Sequence, residues 1–566
     1  MLTIEIEKRL TTIIAWGTLV VTLLVTDRVS TDPANVGKML ALAVTAGTSL
    51  VILIESRKTL YQNFRALILF TGGFLGIAFL SILLSKNPWE KGFFGTFGRN
   101  TGFLTYLSMS ILFIAATQFN RTENYFRVIK LFLISGLFNL VYCLIVLAGY
   151  DIFSWDNPYG KVLGTFGNPN FISSFMGLFF TALSALFFSQ GITYLQKICL
   201  LICGIGSLFI VFESGSQQGG VVAIGGLAIV LFFYLRSRFK KNWINFSYLI
   251  GTALFGLLSI AGMLQFGPLS GVLYKGSVSL RGEYWHSGIN MGLAHPFLGV
   301  GLDSFGTFYR TYRNQSATVV PGVNTISDAA HNVYIDIFAS TGFLGLLFYV
   351  AINSLVLMEA IKFIKRNSGF DPIFVLLFST WIAHQAQSII SINQIGLAIW
   401  GWILAGLLIG YTRKINTSIG KVYEFNRPNL SKGKKTSIAK EVPASIALGN
   451  FAGGLVFLLL AFPSFYTDAV MRQGIVSRSA EKLFLAAKQF PLDSNRINYI
   501  ASRISQGGIN EQQVTLINIG LQKFPYNYDL LFSKFQIAVP ESPEKGALGK
   551  KLHAADPFNP AFFEYR

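Results

Sequence analysis

Charge is what this sequence has least of. Only 13% of its 566 residues are Asp, Glu, Lys or Arg, against about a quarter in soluble globular chains. That scarcity excludes an ordinary water-soluble domain. Cysteine is scarcer still, with three residues. Cys143, Cys199 and Cys203 all fall in apolar runs and read as small buried hydrophobes, which argues against a disulfide framework or a thiolate metal site. Acidic residues are few as well: 27 Asp and Glu stand against 46 Lys and Arg, a net charge of +19. Such an excess would suit nucleic acid, but an apolar chain gathers Lys and Arg in its cytoplasmic loops for a different reason. No nucleic-acid partner is expected.

What is present is apolar sequence, 52% of the chain, arranged in blocks of about 20 residues, the length that crosses a bilayer as helix. Lipid offers backbone groups no hydrogen-bond partner, so spans must be helices or closed barrels. These runs are continuous and do not alternate, which disfavours a barrel. The sequence predicts an all-α, polytopic transmembrane helical bundle of about 12–13 spans, near 11–26, 36–56, 66–84, 101–118, 128–149, 171–189, 195–212, 219–235, 247–266, 333–361, 372–390, 394–411 and 446–464. The first run lacks a small-residue cleavage site and more spans follow, so it reads as a span and not a signal peptide.

Alternation across the membrane can be checked against charge. With the N-terminus inside, the inside loops hold Arg57, Lys58, Arg65, Arg121, Arg127, Lys130, Arg236, Arg238, Lys240, Lys241, Lys362, Lys365 and Arg366, and the basic stretch 413–445 follows. The outside loops are poor in Lys and Arg for their length, as the positive-inside rule requires. The chain is therefore expected to be a multi-pass protein of the cytoplasmic (inner) membrane. Four parts follow: a membrane domain at 1–412 with a long external loop at 267–332, a basic cytoplasmic linker at 413–445, a final span at 446–468 and an extracytoplasmic segment at 469–566. In that last segment AAKQFPLDSN, GLQKFPYNYD and KLHAADPFNP repeat a phrase whose prolines, Pro491, Pro525 and Pro557, are 34 and 32 residues apart. A period near 34 with helix–turn–helix character predicts tetratricopeptide-like repeats, which bind partners along a concave face.

The polar residues concentrate in the outer loops. His331 stands where the long loop meets a helix N-terminus, which favours a neutral imidazole; from the residues alone it is equally a base and a capping histidine. Arg281, Arg310 and Arg313 lie in the long loop, the last two reading as a solvated face. Arg99 lies at a span mouth and is either a phosphate ligand or a snorkelling arginine. Asn168 and Asn170 flank Pro169 in a turn that opens a span. His286, five residues after Arg281, is placed to line the cleft. His295 before Pro296 reads as structural. His384, Gln385 and Gln387 are polar groups within a span, where such groups normally face the bundle interior.

Three stretches carry a family resemblance: GTFGNPNFISSF at 164–175, LRGEYWHSGINMGLAHPFLGVGLDSF at 280–305 and AHNVYIDIFASTGFLGLLFYV at 330–350. In order, spacing and placement around the long loop they resemble the O-antigen ligase and O-antigen polymerase superfamily, over about residues 10–412. That resemblance implies a GT-C-like glycosyltransferase, with no cofactor and no metal, that takes a glycan from undecaprenyl diphosphate on the outer face of the membrane. The acceptor is a glycan, a lipid or a protein side chain, and the other partners implied are membrane lipids and an envelope-assembly protein reached through the repeats. It assigns His331, at the family's "HN" position, and Arg281 as catalytic. Arg99, Asn168, Gln217, Gln218, His286, Arg310 and Asn332 are the candidates for substrate binding. Many relatives carry an arginine in a Ser-Arg-Gly turn; here the turn reads ESGSQQGG, and Gln217 or Gln218 takes the place. The alternatives on the sequence are a lipid-linked sugar transporter, a protein oligosaccharyltransferase and a non-catalytic scaffold. A transporter often shows repeated halves and broken helices at mid-membrane, and neither is evident.

Overall fold

The computed structural model of the chain describes residues 2–239, 241–274, 276–415, 443–504 and 510–565. Among them every regular element is a helix, and ten helices are long and apolar enough to cross a membrane. Every expected span falls on a helix. The three that do not qualify by length and apolarity are Ile4–Leu23, Phe103–Ala116 and Pro372–Ile389. The first carries Glu5, Glu7, Lys8 and Arg9 near its start. The second has 14 residues, about 21 Å of helix against a hydrocarbon core of about 30 Å. The third is diluted by His384, Gln385, Gln387 and their Ser and Thr neighbours.

Local chemistry explains where the helices begin. Asn168 caps Pro169–Phe187 with proline in its first turn. Thr193 and Gln196 form a capping box, and Asp371 precedes Pro372 in the same way. Each side chain takes up an amide that the first turn leaves orphaned.

The two ends of the bundle differ. At one end the Glu7 carboxylate accepts from the amides of Asn120 and Arg121 and from Asn124 Nδ2, and Glu359 pairs with Lys362 and Arg413. Arg413, the first residue of the predicted basic linker, belongs to this end; residues 416–442 lie outside the described residues. The other end carries the stretches 24–35, 84–102, 148–168, 264–332 and 390–394 together with the C-terminal segment.

The predicted loop 267–332 is a folded cap. Helices Gly276–Ala294 and Phe305–Tyr312 lie within it, so Arg281 is a helical residue. The HPFLGVG stretch between them latches onto a break in the next helix. Val333–Arg366 is interrupted at Gly342, whose φ is +67° and ψ −169°. There the Phe343 amide donates to the Pro296 carbonyl at 2.6 Å, while the Val300 and Gly301 amides donate to the carbonyls of Ala339 and Ser340 at 2.8 and 3.0 Å. A Cβ on Gly342 would meet the Phe297 carbonyl carbon at 2.5 Å. Gly342→Ala is expected to lower stability by about 1–3 kcal/mol from backbone strain alone, before any displacement of the latch. Thermal unfolding in detergent measures this, and an unchanged midpoint would mean the latch does not hold the break.

The final membrane helix, Ala444–Val476, runs unbroken past the boundary expected at 468. It packs on Val36–Glu55 so closely that a Cβ on Gly453 would lie 2.4 Å from the Gly47 carbonyl oxygen, as small residues allow between membrane helices. Beyond it stand three helical hairpins: Ala480–Lys488 with Ser494–Ile504, Glu511–Lys523 with Tyr528–Ile537, and Pro543–Ala555 with Pro560–Tyr565. The recurring phrase is the cap inside each hairpin. Asp493 accepts from the Arg496 amide, Asn527 from the Leu530 amide and Asn559 from the Ala561 amide.

Candidate functional site

His331 immediately precedes Asn332, and Asn332 is the helix cap: its Oδ1 accepts from the amides of Tyr334 and Ile335 at 3.0 and 3.2 Å. The capping role weighed for His331 thus belongs to its neighbour. His331 itself has φ +54°, a left-handed conformation that is uncommon outside glycine and clusters at functional sites. Its ring nitrogens have no hydrogen-bond partner among the described residues. The ring lies 5.5 Å from that of Tyr284, centroid to centroid. Burial pushes the imidazole pKa down to about 4, and the charges of Arg281 and Arg99 push the same way.

Arg281 and Tyr284 are one turn apart on Gly276–Ala294. Burial lowers the Arg281 pKa and the Tyr284 phenol opposes the shift. The same helix explains why His286 is not beside them. Five residues turn a helix through about 140°, and His286 is exposed while Arg281 and Tyr284 are half-buried. The expectation that His286 lines the cleft rested on its nearness to Arg281 in the chain, and the helix turns it to the exposed side.

Arg99 enters from the loop before Phe103–Ala116 and sits among acidic residues. Its Nε is 4.0 Å from Asp303 Oδ1, and its Nη1 donates to the Asp328 carbonyl. Burial disfavours its charge, yet Asp303, Asp336 and Asp328 together hold its pKa above the ordinary value. A snorkelling arginine would not be so enclosed. Around it lies a pocket with about 390 Å³ of empty space, counting its open mouth, lined by Tyr106, Asp303, Asp328, Asp336 and Asn393 among others. Asp336 ties this pocket to the histidine, because its Oδ1 accepts from the Ala330 amide at 2.7 Å, one residue before His331.

The other candidates are distributed around this centre. Arg310 and Arg313, expected on a solvated face, are buried and paired with Asp556 of the last hairpin at 3.3 and 2.7 Å. The pairing spans some 240 positions, which no local pattern discloses. Gln218 is buried, accepts from Ser174 Oγ at 3.3 Å and donates to the Ile390 carbonyl at 3.4 Å; it joins two helices to the 390–394 turn. Gln217 is half-buried in the first turn of Gln217–Arg238. Asn168 spends its side chain on the cap and on Tyr159 Oη at 3.0 Å, the turn role weighed for it. His295 Nε2 meets Tyr312 Oη at 2.9 Å, and Gln385 accepts from Tyr334 Oη at 2.8 Å.

Of the four arginines in this region, Arg281 has no carboxylate partner among the described residues, whereas Arg99 has Asp303 and Arg310 and Arg313 share Asp556. An unneutralised guanidinium can bind an anion, and a neutral imidazole beside it can receive a proton from a neighbouring hydroxyl. Tyr284, Asp303, Asp328 and Asp336 were not among the sequence candidates. Asp336 carried a signal, as a lone acid at the head of an apolar helix; the other three did not.

No curated protein matches the chain. Over residues 202–350 it matches the family model described as O-Antigen ligase, a stretch that takes in Gln217, Gln218, Arg281, His331 and the latch at Gly342, and that likeness points to a membrane enzyme of glycosyltransferase type.

Proposed function

We propose that this chain transfers a glycan from undecaprenyl diphosphate to an acceptor hydroxyl on the outer face of the cytoplasmic membrane, in the manner of an O-antigen ligase or polymerase. The observation that carries the reading is the pair formed by neutral His331 and unneutralised Arg281 at the mouth of the bundle. The acceptor oxygen attacks the anomeric carbon and its proton passes to His331. The bond from that carbon to the phosphate oxygen breaks, its electron pair leaves on undecaprenyl diphosphate, and Arg281 stabilises the charge that develops there. Arg99, held beside Asp303 and by the Asp328 carbonyl, shapes the pocket and keeps His331 neutral; the acidic wall around it suits the hydroxyls of a sugar. The three C-terminal hairpins read as tetratricopeptide-like repeats outside the membrane.

The test is a deletion strain complemented with wild type, His331→Ala or Arg281→Ala, with surface glycan and carrier-linked glycan profiled together. Wild type is expected to restore the surface glycan while both variants accumulate carrier-linked glycan, as single repeat units for a polymerase and as full chains for a ligase. Variants that restore the surface glycan as well as wild type would remove the proposal.

A further inference from the structure

The C-terminal hairpins grip both loops that carry the candidate site. Asp556, fully buried, accepts from Arg313 Nε and Nη2 at 3.1 and 2.8 Å through Oδ1, and again from Nη2 at 2.7 Å and from Arg310 Nη1 at 3.3 Å through Oδ2. The Arg310 guanidinium lies 4.1 Å from the Tyr528 ring centroid, and Thr311 Oγ1 donates to the Ala555 carbonyl at 2.9 Å. Helix Phe305–Tyr312 and the residue after it are thus held at positions 310, 311 and 313 by the last two hairpins. Another residue of that helix faces the site. Tyr309 packs on Tyr284 at 5.8 Å between ring centroids, and Tyr284 is the ring beside His331. Just ahead of the helix, Asp303 receives the Thr96 amide at 2.8 Å and flanks Arg99. The Arg99 loop is itself held by the hairpins, through Asp493 with the Phe97 amide at 3.2 Å and Lys523 with Glu90 at 2.9 Å.

A domain that only recruited a partner would have no use for a dry, bidentate ion pair with the cap. Losing one member of such a pair leaves buried charge uncompensated and loosens whatever it holds. We infer that Asp556 is a positioning residue of the site: through Arg310 and Arg313 it fixes helix Phe305–Tyr312, and that helix keeps His331 covered through Tyr309 and, through Asp303 just ahead of it, keeps Arg99 in place. The inference rests on the reading of His331 and Arg99 as part of a transfer site, so its test has a readout that needs no turnover.

The full-length chain in detergent is treated with diethyl pyrocarbonate, and modification of each histidine is followed by mass spectrometry in wild type and Asp556→Asn, beside a transfer assay. Exposed His286 reports the reagent, and His384, buried in the bundle, reports global loosening. Asp556→Asn is expected to raise the modification rate of His331 several-fold with His286 and His384 unchanged, and to lower transfer in parallel. Arg310→Gln, which keeps the Arg313–Asp556 pair, should raise it less. An unchanged His331 rate in both variants, or a rise at His384 as large as that at His331, overturns the inference. The expected histidine pattern in a wild-type chain that transfers no glycan upholds the clamp and removes the transferase reading instead.

Discussion

Alanine at His331 is expected to lower the rate of glycan transfer by about 10²–10⁴-fold, the usual loss when a positioned base is removed, with donor binding little changed. The pH profile makes the prediction sharper. A base must be unprotonated to act, and a pKa lowered by burial and by the two arginines to about 4 keeps the ring neutral down to that pH. Activity should therefore hold as the pH falls through about 6.5, where an ordinary histidine would charge, and decline only on approach to pH 4. Transfer rates measured across this range in detergent decide it. An acid midpoint near the ordinary value would mean that the ring is neither buried nor beside the arginines during turnover.

Arg281→Gln is the companion experiment. Loss of a charged donor at a developing anion typically lowers kcat by about 10²–10³-fold, and that fall is expected here. A second effect separates Arg281 from a residue that merely folds the cap. Its positive charge helps to hold the His331 pKa down, so removing it should move the acid limb of the variant's residual activity upward in pH. Arg281→Lys keeps the charge and loses the planar fork; its acid limb should stay near that of wild type while its rate remains reduced. A glutamine variant with the wild-type acid limb would place Arg281 away from His331.

Much of this architecture was legible in the sequence because membrane spans and helix caps are local. The apolar blocks located the helices, and the GNPN turn and the "HN" at 331–332 located two of their starts. The His331–Arg281 pairing came from the resemblance and could not have come from pattern, since 50 residues separate the two. What stayed hidden depends on three-dimensional closure. Asp303 and Asp328 look like ordinary loop acids until Arg99 is placed between them. Arg310 and Arg313 look solvated until Asp556 arrives from the far end of the chain. His286 lies on the exposed side of Gly276–Ala294, a placement set by helical phase and not by its nearness to Arg281 in the chain. HPFLGVG is conspicuous as a string, but its meaning, a plug for a broken helix, appears only beside residues 339–343.

That break bears on how the site is phased. In an uninterrupted helix each residue is rotated by about 100° from the last, so the azimuth of Asn332 and Asp336 would be locked to whichever stripe of the stem faces lipid. At Gly342 the column of hydrogen bonds is cut, and the groups that would have continued it are bonded to Pro296, Val300 and Gly301. The outer two turns therefore take their rotational setting from the cap and the stem takes its own from the bundle. The lipid-facing side of the stem can drift in sequence, or tilt with its neighbours, without turning His331 away from Arg281.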